Sequence, residues 1–70
     1  MRRKTVGEYL VADPKICHGK VTFKGTRILV ADVLDLVAQG MDWATIAEQC
    51  HGSITRQAIA EAIRLAGRAF

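Results

Sequence analysis

Only two cysteines occur among the 70 residues, too few for the dense disulfide framework of a small secreted scaffold. No run approaches the roughly 20 apolar residues of a membrane span. The start, MRRKTVGEY, has no apolar segment of signal-peptide length behind its basic residues. Internal repeats, low-complexity tracts and domain linkers are also missing. The chain therefore reads as one small cytoplasmic domain with reduced thiols. A chain this short buries only about 60% of its unfolded surface. Self-association, or docking on a partner protein, is the expected remedy.

A catalytic constellation is missing too. Catalysis needs a nucleophile, a base and an orienting group that converge. The only histidines, His18 and His51, each directly follow a cysteine, and adjacent side chains point apart in extended structure. Cys17, His18, Cys50 and His51 could offer two sulfurs and two nitrogens to zinc, but structural zinc draws ligands from a wider spacing. The plainer reading makes Cys50 a buried small hydrophobe, His51 part of a helix end, and Cys17 and His18 loop residues. The stretch 19–26 superficially resembles a phosphate loop, but it lacks the Gly-Lys-Ser/Thr ending and no buried strand leads into it. No catalytic residue, metal or cofactor is expected.

What the chain does have is a mild excess of positive charge, +3, with a pI near 9.2. Its placement is uneven. Arg2, Arg3 and Lys4 cluster at the start, and Arg64 and Arg68 lie in the last stretch. Basic ends suit nucleic-acid phosphates; they are equally the composition of a solvated tail. Residues 1–7 are read as a flexible basic tail, and residues 8–70 as one domain.

That domain opens with short extended pieces. Residues 8–12 are rich in strand formers. Asp13-Pro14 ends them, since proline forces Asp13 out of the α region. Residues 17–20 form a loop, residues 21–23 extend again, and Gly25 breaks the run at a position that needs positive φ or close backbone approach. Residues 27–30 extend once more, and the favoured pairing sets residues 9–12 against the Ile28 region. Arg27 has two readings. Its stem is covered by apolar neighbours while its fork ties the loop to Asp13, Asp32 or Asp35; alternatively it contacts phosphate or a partner's carboxylate. Gly19 and Gly25 are backbone-geometry residues first.

From Ala31 the period becomes helical. Val33, Leu34, Val37 and Ala38 share a face, and Gly40 is the αL cap. Asp42 caps a second helix with Trp43, Ile46, Ala47 and Cys50 inward; Trp43 is read as core. Thr55 caps a third helix, with Ile54 as its staple. Ile59, Ala62, Ile63 and Ala66 form the inner stripe. Arg56, Gln57, Ala60, Glu61, Arg64 and Arg68 lie off it. The predicted class is mainly α: a three-helix bundle of helix-turn-helix type, preceded by short strands.

The run His18-Gly19-Lys20, then Phe23-Lys24-Gly25-Thr26-Arg27-Ile28, resembles the signature of a bacterial family, domain of unknown function 433. The resemblance spans roughly residues 9–66, from the Asp-Pro turn at Asp13 to the alanine-rich last helix. Two departures are Val21, where the family usually has proline after Gly-Lys, and His51-Gly52-Ser53, where a proline-containing segment is more usual. Asp13, Gly19, Lys20, Gly25, Thr26 and Arg27 carry the motif. The resemblance implies a homeodomain-like fold, often dimeric, and a role as the antitoxin partner of a small PIN-type nuclease.

The binding residues follow. As a recognition helix, the third helix would present Arg56 and Gln57 to base edges, with Arg64 beside them. Arg2, Arg3 and Lys4 would act as an arm on phosphates or in the minor groove. Tyr9, Val21, Phe23 and Phe70 are apolar groups in parts with little core of their own, which suits a protein interface. Expected partners are a second copy, a nuclease-like toxin and double-stranded DNA, with no membrane. The alternatives are a DNA-binding regulator without a toxin, and a structural interaction module.

Overall fold

The computed structural model describes residues 3–68. A small antiparallel sheet comes first: β1 (Lys4–Thr5), β2 (Leu10–Ala12) and β3 (Val21–Phe23), in that spatial order. Three helices follow: α1 (Val30–Ala38), α2 (Trp43–Gln49) and α3 (Arg56–Arg68). The class is thus mainly α with preceding strands. No helix among the described residues is long and apolar enough to cross a membrane.

The sheet differs from expectation in two ways. β2 pairs with β3, Leu10 opposite Phe23 and Ala12 opposite Val21, not with the Ile28 region. Leu29 makes only an isolated bridge to Thr22, because the chain turns straight back after Phe23. Part of the stretch expected as tail is also a strand. Lys4 and Thr5 pair with Ala12 and Val11, which satisfies an otherwise open edge of β2. The hairpin closes where Val6 N and Gly7 N both donate to Leu10 O, at 3.1 and 3.3 Å.

Between β2 and α1 the chain forms a strap. At the Asp-Pro turn, Lys15 N donates to Asp13 Oδ1 at 2.9 Å. Cys17, His18 and Gly19 then adopt φ of 49°, 58° and 83°, a left-handed turn. Two non-glycine residues there cost about 1–2 kcal/mol each. Cross-links hold them: Lys20 N donates to Cys17 O at 3.2 Å, and the Cys17 thiol to Arg27 O at 3.6 Å.

The second half of the strap is clasped by Thr26, not Arg27. Thr26 Oγ1 donates to Phe23 O at 2.8 Å and accepts from Ile28 N at 3.0 Å. One short hydroxyl satisfies both backbone groups. Gly25, at φ 76°, makes the reversal. The expected Arg27 tie to Asp13, Asp32 or Asp35 is absent: the residue is exposed, and its guanidinium has no hydrogen bond among the described residues. With the turn's polar groups already paired, nothing draws the guanidinium inward.

The helix ends follow local chemistry. Gly40 N donates to Val37 O at 3.0 Å and Met41 N to Leu36 O at 3.2 Å, with Gly40 at φ 90°, a Schellman end for α1. At the other side of the joint, Asp42 caps α2 by accepting from Thr45 N at 3.4 Å. Hydrogen bonding from the Thr45 side chain holds the Asp42 carboxyl below its ordinary 3.8. α2 ends on His51, left-handed at φ 54°, with Gly52 N reaching back to Ala47 O at 3.1 Å. Thr55 Oγ1 accepts from Ala58 N at 3.2 Å and starts α3.

The core gathers Leu10 and Phe23 from the sheet, Val30 and Val33 from α1, Ile46 from α2, and Ile54, Ala58, Ile59 and Ala62 from the last segment. Phe23 is 2% exposed, so it belongs to the core and not to an interface. The alternation of β3 turns it toward the helices opposite Leu10. Trp43 is the reverse case. It is 38% exposed, because it stands on the first turn of α2 and the inward position is taken by Ile46 one turn on. In α3 the buried edge falls at Ala58 instead of Ala66, which is only half-buried.

Thr22 lies fully buried, and among the described residues its Oγ1 has no hydrogen-bond partner. An unpaired buried hydroxyl is destabilising, so Thr22→Val should stabilise the fold by about 1 kcal/mol in urea unfolding. The strap makes a second prediction. Thr26→Val should cost about 1–2 kcal/mol, and Arg27→Ala less than about 0.5 kcal/mol. Equal losses at the two positions would return the clasp to Arg27.

Candidate partner and nucleic-acid interface

α3 presents its polar face to solvent because Ala58, Ile59 and Ala62 take the core side. Arg56, Gln57, Arg64 and Arg68 are all exposed. Arg56 and Arg64 are eight residues apart, about 12 Å along the axis, so the cations sit toward opposite ends of the helix. Their surroundings differ. Arg56 lies close enough to Asp42 to help lower its pKa, as a smaller contributor behind the Thr45 hydrogen bonds.

Glu61 is the residue that sequence reasoning misplaced. It reads as an acidic group on the exposed face of α3. It is instead half-buried, and its carboxylate accepts from two backbone amides: Tyr9 N at 2.7 Å and Glu8 N at 3.0 Å. Such charge-assisted bonds are roughly twice as strong as neutral ones. They tie the middle of α3 to the chain entering β2. Gly7 is part of the same arrangement, since a Cβ there would lie 2.6 Å from the Glu61 carboxyl carbon. The signal in the sequence is Gly7 before Glu8-Tyr9, a stretch with amides to satisfy, but nothing local points from it to Glu61. Alongside, the charge of Glu8, with burial and a smaller contribution from Glu61, raises the Tyr9 pKa above 10.0.

The clamp leaves a cleft beside it, about 490 Å³ in volume, lined by Val6, Gly7, Glu61, Arg64, Gly67 and Arg68. Exposed Arg3 and Lys4 stand two to three residues upstream of Val6. Neither is among the cleft's lining residues; Lys4 lies in β1, paired with Ala12. A second, more apolar groove of about 470 Å³ is lined by Lys20, Val21, Leu29, Val30, Ala31, Asp32, Leu34 and Leu65.

The remaining expected site residues are dispersed. Tyr9 and Val21 are half-buried and pack against the core. Asp13, Gly19, Gly25 and Thr26 shape the strap, and Lys20 is exposed at the rim of the second groove. Arg2 and Phe70 lie outside the described residues. Both cysteines are half-buried, and neither is in a disulfide. Among the described residues, no three His, Cys, Asp or Glu side chains come together as a metal site.

The clamp predicts a double-mutant coupling. Gly7→Ala should cost about 1–2 kcal/mol by displacing the Glu61 carboxylate, and Glu61→Ala about 2 kcal/mol by leaving the two amides to solvent. In the Glu61→Ala background, Gly7→Ala should cost almost nothing. Additive losses in chemical unfolding would show that the two residues act separately.

Comparison with known proteins adds the family. Neither the curated proteins nor the solved structures yield a match. A family model does match, over residues 10–66, the segment that holds β2, the strap and most of the three helices. The chain belongs to the family of proteins of unknown function called DUF433.

Proposed function

We propose that this protein is a small homodimeric binding module, the antitoxin of a type II toxin–antitoxin system. It acts in the cytoplasm by covering a PIN-like nuclease and performs no catalysis itself. The observation that carries this reading is the exposed face of α3. Arg64 and Arg68 line a cleft in which the one carboxylate among the described residues, Glu61, is engaged by two backbone amides. Cations so placed suit the acidic, metal-binding carboxylates of a nuclease. Inhibition would be steric, with basic and apolar groups filling the nuclease site. The apolar groove around Val21, Leu29 and Leu34 supplies a surface for the second copy.

Operator binding is the second reading, with or without a toxin. Here α2 and α3 act as a homeodomain-like helix-turn-helix pair. The support is the exposure of Arg56 and Gln57 on the first turn of α3, the residue types that read guanine and adenine edges. A purely structural interaction module remains the third.

The antitoxin reading predicts that the product of the adjacent gene arrests growth when expressed alone. Co-expression should relieve the arrest, and the two proteins should co-purify. A harmless, non-associating neighbour would end this reading. Operator binding predicts affinity for upstream DNA that falls steeply between two salt concentrations. Absence of binding at low salt would exclude it.

A further inference from the structure

We infer that the cleft between α3 and the β1–β2 hairpin is a carboxylate-binding site, taking an acidic side chain of a partner protein between Arg64 and Arg68. The inference deepens the binding-module reading and rests on it for what supplies the carboxylate. Three features argue for the site itself.

The first is charge. Arg64 and Arg68 are one helical turn apart and line the same cleft. Among the described residues the only acid in the lining is Glu61. Its two oxygens are directed to the amides of Glu8 and Tyr9, so two guanidinium groups face one carboxylate that is already engaged. A planar guanidinium fork matches a carboxylate in two parallel hydrogen bonds.

The second is Gly67. Gly67 is the next-to-last residue of α3, where glycine costs less than the roughly 1 kcal/mol of a helix interior. Nothing in the described fold asks for it: a Cβ at Gly67 would meet no atom within 4 Å. It does line the cleft, between the two arginines in sequence. With no Cβ, it leaves the backbone of that last turn open to an incoming group.

The third is shape, which separates an acidic side chain from a nucleic-acid backbone. The cleft is walled by Val6 and Gly7 on one side and α3 on the other. Its volume of about 490 Å³ falls in the range of small-ligand clefts. A polyanion with one charge per roughly 1.7 Å would also bring several charges toward Glu61, where a protein side chain brings one.

The experiment is a titration of the intact, isotope-labelled protein followed at the amide signals of Gly7 and Gly67. The probes are a capped glycine-rich peptide carrying glutamates, the same peptide with glutamines, inorganic phosphate, and a short DNA duplex. The inference predicts saturable shifts at both glycines with the glutamate peptide, at least about tenfold weaker binding of the glutamine peptide, and a similar loss in the Arg64→Gln, Arg68→Gln double variant. An unchanged Ile59 amide in that variant reports an intact core, and the peptide contrast on the natural protein needs no variant. Equal response to both peptides, or none, overturns the site. So does phosphate binding as tightly as the glutamate peptide, or a duplex that shifts Arg56 and Gln57 while the peptides shift nothing. Peptide binding with a harmless, non-associating gene neighbour would keep the cleft and remove the antitoxin reading. An associating toxin with no peptide response would do the opposite.

Discussion

One carboxylate joins the two halves of this domain. Glu61 reaches from the middle of α3 to the amides of Glu8 and Tyr9, where the chain turns into β2. A three-stranded sheet with strands of two and three residues is too small to stand alone. It persists because one face gives Leu10 and Phe23 to the helical core and its entry is anchored on α3. The same bond sets the distance between the hairpin and the helix, and hence the cleft. Gly7 is the steric condition for it, since any side chain there would occupy the space of the carboxylate.

The strap between sheet and helices solves a different problem. It must reverse direction after β3 and deliver Val30 into the core within a few residues. Gly25 supplies the reversal and the Thr26 hydroxyl fixes it. The left-handed turn at Cys17–Gly19 stores some strain, offset by backbone bonds within the turn and by the thiol contact to Arg27 O. Arg27 thus contributes its carbonyl to the strap while its guanidinium faces solvent. The block that looks most like a ligand loop in the sequence is mainly a folding device, and the exposed cations that suit ligands lie mostly elsewhere.

Local physics accounts for what was legible in the sequence. The caps at Gly40, Asp42 and Thr55 and the staple Ile54 depend on neighbours within a few positions, so each helix could be placed closely. The Asp13-Pro14 turn is local in the same sense. Non-local choices were not legible. β2 had two extended candidates to pair with, and the decision for residues 21–23 rests on the Thr26 clasp, which closes the chain before Ile28 can reach β2. Phe23 and Trp43 exchanged expected places, core for surface, because burial depends on where the neighbouring element ends. Glu61 bonds residues 52 and 53 positions away, and no periodicity reveals that. The exposed positions of Arg56, Gln57 and Arg64 were readable from the helical stripe; the cleft beside Arg64 was not, because it needs the hairpin.

The functional proposal depends on this geometry, since without the clamp the hairpin would not wall the arginine cleft. Native-state amide hydrogen exchange tests the clamp most directly. The amides of Glu8 and Tyr9 should be protected and should open together with core amides of α3 such as Ile59 and Ala62. Exchange of Glu8 and Tyr9 at unprotected rates, while Ile59 and Ala62 stay slow, would contradict the account.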